Sequence, residues 1–167
     1  MSEYASIRER IESIQERIGR AAETAGRRAS DITLVAVTKT VEIARINEAA
    51  AAGITDFGEN YLQEARPKVA MLPNLRWHFI GHIQKNKAGA VARSFHLIQS
   101  VDSVELAAAL GKRSTPGNSI PLLLEVKVDP TATKFGIEPE RCLDAAAECN
   151  EIGGISPHSC PKNASFR

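Results

Sequence analysis

The chain has 167 residues, a length that suits one domain with one sizeable core. Hydrophobic residues make up 43% and charged residues 25%, which is close to the average of globular proteins and argues against a disordered or membrane-embedded class. Lysine and arginine number 21 against 20 aspartates and glutamates, so the formal net charge of +1 offers no general attraction for nucleic acid.

The first predicted element is a helix over residues 6–25. Its apolar residues recur at steps of four and three, as they do on one face of an amphipathic helix. They are Ile7, Ile11, Ile14, Ile18 and Ala22. Ser6 and Glu9 resemble a capping box, and Gly26 is a typical helix terminator. We expect this helix to cover one face of the fold.

The next segment, residues 32–40, predicts the first strand and contains the principal site candidate. Its apolar run, bounded by polar residues, fits a strand buried on both faces, which is typical of parallel sheets covered by helices. The run ends in Lys39, at the carboxyl end where parallel α/β folds place their chemistry. An ammonium group against an apolar sheet end is poorly solvated, so we expect its neutral, nucleophilic form to be accessible for reaction with an aldehyde. The alternative is a lysine that merely ends the strand and points into water.

The remaining elements repeat one rhythm of strand and helix. Thr40 is expected to cap a helix that ends near residue 52. Further strands are predicted to begin near residues 54, 76, 96 and 121, with helices over 61–71, 84–93, 102–112 (capped by Asp102) and 139–150. Five such units fit an open doubly wound sheet or part of a (β/α)8 barrel, and a complete barrel needs eight. Basic side chains on the helices are expected to face solvent, with anion binding as the alternative: Arg66, Lys68, Lys85, Lys87 and Arg93.

The rhythm breaks after Gly154. Residues 155–167 contain two prolines and show neither helical nor strand periodicity. We therefore expect one main domain over residues 1–154 and an irregular tail over residues 155–167. A frameshifted or truncated reading frame would produce such a tail, and a natural disordered tail is the alternative.

The cysteines are odd in number, which argues against a disulfide framework. Cys142 and Cys149 share one predicted helix face, so we expect reduced thiols packed as small hydrophobic groups. His158 and Cys160 lack a second pair of ligands, so we expect no metal site. Residues 1–4 lack the pattern of a signal peptide, and no apolar run approaches the roughly 18 residues of a membrane helix. The expected location is therefore the cytoplasm.

Four sequence blocks at predicted strand ends closely resemble the YggS/PROSC family of pyridoxal phosphate homeostasis proteins. The blocks are residues 35–39 (VAVTK), 57–64 (FGENYLQE), 77–87 (WHFIGHIQKNK) and 99–102 (QSVD). Their order and positions make the match specific, and the resemblance extends over residues 3 to about 154.

This resemblance implies an incomplete (β/α)8 barrel of the alanine racemase N-terminal type that binds pyridoxal 5′-phosphate (PLP). On the family motif, Lys39 would form the Schiff base with PLP. The resemblance further implies a carrier and regulator of intracellular PLP without established catalysis, with PLP-dependent apoenzymes as its partners. Asn60 and His82 also follow strand ends, so in a barrel they would project from the same face as Lys39. Asn60 would hydrogen-bond the ring substituents and His82 would line the mouth of the site.

Both of these residues have a structural alternative. Asn60 can serve as a helix N-cap, and His82 can be a loop residue or a helix cap. Glu59 is expected to pair with a neighbouring base, and Trp77 to lie in the core. Residues 134–136 (KFG) resemble a Lys-x-Gly motif of the family, in which the glycine supplies a positive φ.

The sequence departs from the family at the phosphate site. Barrels commonly bind phosphate with the loops after strands 7 and 8, and the resemblance likewise implies Ser/Gly-rich and Arg-Gly contacts near the family's C-terminus. Neither segment is found in this sequence, so we expect the lysine attachment point without the phosphate cradle, and weaker binding. Two alternatives stay open. One is a racemase-like PLP enzyme, for which Tyr4 and Tyr61 offer no clear acid/base partner, and the other is an inactive truncated fragment.

Overall fold

A computed structural model describes residues 6–114, 117, 119–129 and 135–157. Six parallel strands form one sheet in the order β1-β2-β3-β4-β5-β6. The strands are β1 Val35–Val37, β2 Asp56–Glu59, β3 Arg76–Phe79, β4 Leu97–Val101, β5 Ile120–Leu124 and β6 Ile155–Pro157. The helices are α1 Ile7–Thr24, α2 Ile43–Ala51, α3 Leu62–Met71, α4 Ala88–Ser94, α5 Val104–Gly111 and α6 Cys142–Asn150. No helix within these described ranges is long and apolar enough to cross a membrane.

Helix α1 begins as the sequence predicts. Ser6 and Glu9 form the capping box, in which Glu9 N donates to Ser6 Oγ at 3.2 Å and Ser6 N donates to Glu9 Oε2 at 2.6 Å. Ile11 is buried, whereas Ile14 is 39% exposed. The predicted apolar stripe is therefore only partly covered by the rest of the fold.

The main core lies between the sheet and its helices. Trp77 is fully buried there, as predicted, and its Nε1 donates to Leu72 O at 3.0 Å. Each large apolar side chain buried in this layer stabilises the fold by about 1.5–3 kcal/mol. The largest of them are Phe57, Trp77, Ile46, Ile98, Leu106, Leu110 and Leu122. Cys149 joins this core as a buried free thiol, and Cys142 is also free, which agrees with the prediction of reduced thiols.

Strand β1 is shorter and more exposed than predicted. It contains three residues, and Val37 is 51% exposed. Side chains alternate along a strand, so Val35 and Val37 lie on the face opposite Ala36, which packs against the core. The prediction of burial on both faces is wrong for β1 because this strand lies at one edge of an open sheet.

The sixth strand lies where the sequence predicted only an irregular tail. β6 pairs in parallel with β5, from Ile120 opposite Ile155 to Leu122 opposite Pro157. Three residues with a terminal proline carry no visible periodicity, which is why the sequence pattern missed this strand. The expected incomplete (β/α) barrel is confirmed, with six strands rather than about five. Its sheet is open, with β1 and β6 as its two edges.

Two predicted helix caps are wrong, and so is the alternative interpretation of Asn60 as a cap. Thr40 does not cap α2, which begins after Glu42, and Asn60 does not cap α3, whose N-cap is Tyr61. The cap of α5 is Ser103, whose Oγ accepts from Leu106 N at 3.3 Å, and not Asp102. The predicted basic helix over 84–93 begins instead as a 3-10 turn, Lys85–Lys87, that leads into α4.

Candidate functional site

Lys39 lies two residues beyond β1, at the edge of the sheet where all six parallel strands have their carboxyl ends. We call this the carboxyl edge. The Lys39 side chain is exposed, and its amine makes no hydrogen bond or ion pair within the described residues. The predicted desolvation of the ammonium group is not observed because Lys39 follows an edge strand that leaves it open to solvent. Its role in binding stays a prediction.

A tight turn of residues 38–41, here called the Lys39 turn, sets the position of this lysine. Val41 N donates to Thr38 O at 3.0 Å, so Lys39 and Thr40 are the two central residues of the turn. Thr40 has a φ of 61°, the only positive φ of a non-glycine residue in the described chain. For a β-branched residue this conformation is unusual, with a cost of about 1–3 kcal/mol, and it persists only where the surroundings enforce it.

A buried polar cluster lies directly beneath the Lys39 turn. Lys68 Nζ donates to Glu59 Oε1 at 2.8 Å and to Thr38 O at 2.7 Å. Thr38 Oγ1 also donates to Glu59 Oε1, at 2.7 Å. The exposed fractions are 5% for Thr38, 0% for Glu59 and 7% for Lys68. Glu59 therefore pairs with a base as predicted, whereas the prediction that Lys68 faces solvent is wrong.

The pairing of Glu59 is incomplete. Both donors bind Oε1, and Oε2 is buried with no hydrogen-bond partner among the described residues. Such a buried carboxylate is stable mainly because the Lys68 ammonium lies against it, since a buried charge without its partner is strongly destabilising. Helix α3 therefore contributes a side chain on which the strand end before Lys39 depends.

Asn60 follows β2 directly and is half-buried, with no hydrogen bond from its side-chain amide within the described residues. The neighbouring loop approaches it closely. A Cβ at Gly81 would lie 2.1 Å from Asn60 O, so only glycine fits there. Ser100 Oγ donates to Gly81 O at 2.5 Å and holds the same loop from β4.

His82 lies in this loop and is neither a helix cap nor free of contacts. Its Nδ1 lies 3.2 Å from Asp102 Oδ2, and its ring stacks on Phe135 with centroids 3.6 Å apart. Asp102 therefore orients His82 instead of capping α5. In the neighbouring motif, Gly136 has the predicted positive φ, at 130°, whereas Lys134 lies outside the described residues.

The structure thus brings Lys39, Asn60 and His82 to the carboxyl edge, the placement predicted from the sequence. The sequence interpretation missed the residues around them: Thr38, Thr40, Glu64, Lys68, Asp102 and Phe135. Glu64 and Lys68 carried a detectable signal, because they are four residues apart on a predicted helix next to the FGEN block.

A second buried polar cluster lies on the opposite face of the sheet, because its Asp56 is three residues from Glu59 along β2 and side chains alternate along a strand. His78 Nε2 lies 2.8 Å from Asp56 Oδ1, and Gln99 Nε2 lies 2.8 Å from His78 Nδ1. Burial lowers the pKa of His78, although the hydrogen bond to Asp56 opposes this shift. A neutral ring with its proton on Nε2 satisfies both contacts, as a donor to Asp56 and an acceptor from Gln99.

The part of the chain that the structure describes contains no candidate metal-binding site. These residues contain no group of three or more His, Cys, Asp or Glu side chains placed to hold a metal ion. His158 and Cys160, the pair that the sequence analysis considered, lie outside the described residues.

Comparisons with known proteins agree on one family. Residues 10–160 match the family model described as alanine racemase, N-terminal domain. The chain is 44% identical over 147 residues to the pyridoxal phosphate homeostasis protein of Pseudomonas aeruginosa, and the match covers 86% of this chain and 64% of that protein. It is 38% identical to the protein of the same name from Vibrio cholerae, with 90% of this chain and 67% of that protein covered.

A solved structure gives the same result. PipY of Synechococcus elongatus, with PLP bound, has a TM-score of 0.78 and 33% identity, over 92% of this chain and 68% of PipY. The chain therefore spans about two thirds of the length of the relatives it matches, at 64% for the Pseudomonas aeruginosa protein.

Proposed function

Since the chain belongs to the pyridoxal phosphate homeostasis protein family, whose fold is that of the alanine racemase N-terminal domain, we propose that it binds PLP at Lys39. The observation that carries this proposal is the Lys39 amine, which is exposed at the carboxyl edge with no partner among the described residues. Further support comes from PipY, a relative of the same fold whose structure contains PLP.

The side chains at this edge fit the aldehyde and ring end of PLP. PLP supplies an aldehyde that condenses with a neutral primary amine to a carbon–nitrogen double bond, with loss of one water. Lys39 provides that amine. Asn60 provides both a donor and acceptors whose hydrogen-bonding capacity is unused within the described residues. His82, oriented by Asp102, lines the same edge.

The proposed biological role is intracellular PLP homeostasis, with the chain as a carrier rather than a catalyst. The relatives carry this role in their names. Under this role we expect PLP-dependent apoenzymes as recipients and the cytoplasm as the location, where the buried Cys149 thiol would stay reduced.

The racemase-like alternative is not favoured. Racemisation needs two acid/base groups on opposite faces of the cofactor. Tyr61 is 54% exposed at the start of α3, and Tyr4 lies outside the described residues. Release of α-hydrogen from labelled amino acids would be the measurement that favours an enzyme.

Borohydride reduction of the protein with PLP, followed by peptide mapping, tests the attachment point. We expect the label on Lys39 and its loss in Lys39→Ala. Lys87→Ala is the matched control, because Lys87 is an exposed lysine that should not hold the cofactor. A label that spreads over surface lysines, or that persists undiminished in Lys39→Ala, would refute the assignment.

The carrier role has its own test. Protein loaded with PLP is mixed with a PLP-dependent apoenzyme, and the rate at which activity appears is compared with the rate from free PLP at equal concentration. We expect recovery of activity from the loaded chain and less from Lys39→Ala carried through the same loading and desalting. Equal recovery from both proteins would contradict a carrier that works through Lys39.

A further inference from the structure

Two side chains of α3 contact the backbone on either side of Lys39. Glu64 Oε2 accepts from Thr40 N at 3.0 Å, and Lys68 Nζ donates to Thr38 O at 2.7 Å. Glu64 and Lys68 are four residues apart, so they lie on one face of the helix, one turn from each other. A single rigid element therefore contacts the residue before Lys39 and the residue after it.

These contacts act on the strained part of the chain. Thr40 has the positive φ, and its amide is the group that Glu64 accepts from. The other end of the turn is Thr38, whose carbonyl accepts from both Val41 N and Lys68 Nζ. Because a β-branched residue does not favour this conformation by itself, the contacts from α3 contribute to holding it, together with the Val41 N–Thr38 O bond of the turn.

The Lys68 contact is itself fixed by burial. Lys68 is 7% exposed and lies against Glu59, which is fully buried and also accepts from Thr38 Oγ1. The ammonium group cannot turn toward water without leaving the Glu59 carboxylate unpaired. Thr38 is therefore held through its carbonyl by Lys68 and through its hydroxyl by Glu59, two groups that are themselves buried and paired.

We propose that Glu64 and Lys68 are positioning residues for Lys39. They hold the Lys39 turn in its strained conformation, so the Lys39 amine is presented at the carboxyl edge in a narrow range of orientations. A pre-oriented amine loses less freedom when it reacts, so Lys39 reacts faster with an aldehyde than a lysine on a mobile segment does. The consequence for PLP rests on the proposed function of Lys39, whereas the effect on the turn itself does not.

The first experiment measures amide hydrogen exchange in the cofactor-free 167-residue protein. Glu64→Ala removes the acceptor of the Thr40 amide, and we expect exchange of that amide to become faster by up to about tenfold. Gln63→Ala is the matched control on the same helix, since Gln63 is exposed and should leave Thr40 exchange unchanged. Equal exchange of Thr40 in wild type and Glu64→Ala would overturn the proposal.

Lys68 requires a variant that leaves no buried unpaired charge. In Lys68→Met/Glu59→Gln, the donor to Thr38 O is lost while the buried pair is neutral. We expect faster exchange at Val41, whose amide shares that carbonyl, with α3 amides beyond the first turn unchanged. A thermal melt confirms that the variant is folded at the temperature of the experiment. Unchanged exchange at Val41 would remove Lys68 from the proposed role.

The second experiment measures how fast Lys39 is trapped by PLP and borohydride, as a ratio to the exposed reference Lys87. We expect this ratio to fall about threefold to tenfold in Glu64→Ala, in line with the loss of one hydrogen bond. Thr40→Gly in the Glu64→Ala background should restore much of the ratio, because glycine adopts a positive φ without strain. If Glu64 only stabilised the fold, Glu64→Ala would lower the stability without lowering the ratio, and Thr40→Gly would then not change the ratio either.

The outcomes separate the two proposals. If wild-type protein shows no preference for Lys39 over Lys87, the proposed function is wrong, and Thr40 exchange still decides whether α3 holds the turn. If wild type labels Lys39 selectively and Glu64→Ala keeps the same ratio, the positioning role is wrong, even where Thr40 exchange increases.

Discussion

The two buried polar clusters of this sheet are built differently. The cluster of Thr38, Glu59 and Lys68 lies at the carboxyl edge, contains a full ion pair, and leaves Glu59 Oε2 without a partner. The cluster of Asp56, His78 and Gln99 lies on the opposite face of the sheet, because Asp56 and Glu59 are three residues apart along β2. There Asp56 Oδ1 contacts His78, and Oδ2 accepts from Thr55 Oγ1 at 2.6 Å.

The two clusters also join different elements of the fold. The Asp56 cluster joins side chains of three adjacent strands, β2, β3 and β4, so it stabilises the sheet itself. The Glu59 cluster instead joins a strand to the Lys39 turn and to α3. Incomplete pairing and a strained backbone occur together at the end of the sheet where we propose the function. Complete pairing occurs in the cluster that joins the strands to one another.

The largest expected effect comes from breaking the ion pair. Lys68→Met leaves the buried Glu59 carboxylate without its counter-charge, and we expect a loss of about 3–5 kcal/mol in the free energy of unfolding. Urea denaturation of wild type and variant measures this loss. In the double variant Lys68→Met/Glu59→Gln the loss should be much smaller, because no charge is left unpaired. A single-variant loss below about 1 kcal/mol would show that water reaches Glu59.

The loss in the free energy of unfolding should be smaller when the Asp56 cluster is broken. His78→Ala removes two hydrogen bonds and buried volume, but Asp56 keeps Thr55 and Arg76, whose Nε lies 3.2 Å from Asp56 Oδ1. We therefore expect a loss of about 2–3 kcal/mol by the same urea measurement. A loss larger than that of Lys68→Met would reverse the order of the two clusters.

The Asp56 cluster should also make the stability depend on pH, through His78. Burial lowers the pKa of His78 from the ordinary value of 6.5, so the unfolded chain binds a proton at a higher pH than the folded chain does. The stability contributed by neutral His78 is therefore present above pH 6.5 and is lost as the pH falls below it. The slope is at most about 1.4 kcal/mol per pH unit for one proton.

Urea midpoints between pH 7.5 and pH 5 measure this slope. His78→Gln removes the titrating imidazole, so it should flatten the dependence of the urea midpoint on pH. The charged or titratable groups that remain near position 78 are Asp56, Arg76 and His96. An identical slope in wild type and His78→Gln would assign the pH dependence to another residue.

The smallest expected effect concerns backbone strain at the carboxyl edge. Thr40→Gly places glycine at φ 61°, and we expect a net gain of up to about 1 kcal/mol in the free energy of unfolding. Thr24→Gly, at the last residue of α1, is the contrasting control and should give no gain, because glycine is less favourable than threonine in a helix. A loss at Thr40 would mean that its hydroxyl bond to Lys39 O at 2.6 Å outweighs the strain.

The sequence predicted the succession of strands and helices and the family correctly because both depend on local signals. Buried parallel strands appear as apolar runs, helices as a 3.6-residue repeat, and the motif blocks lie at the strand ends. The position of Lys39, Asn60 and His82 at one edge followed from chain direction alone, since parallel strands end together. The burial of Trp77 and the pairing of Glu59 followed from residue type in the same way.

Tertiary structure decided the features that depend on partners distant in sequence. Thr40, Asn60 and Asp102 all fit a helix cap by local rules. In the structure the Thr40 amide donates to Glu64, and Asp102 contacts His82. Helix α3 begins one residue later than predicted, so Tyr61 and not Asn60 is its N-cap. Lys68 has the pattern of a solvated helix face, and only the approach of Glu59 from β2 explains its burial. β6 forms because β5 offers an unpaired edge, which no property of three residues can predict. Periodicity reports which face of an element is buried, whereas the identity of the group across that interface is set only when the chain packs.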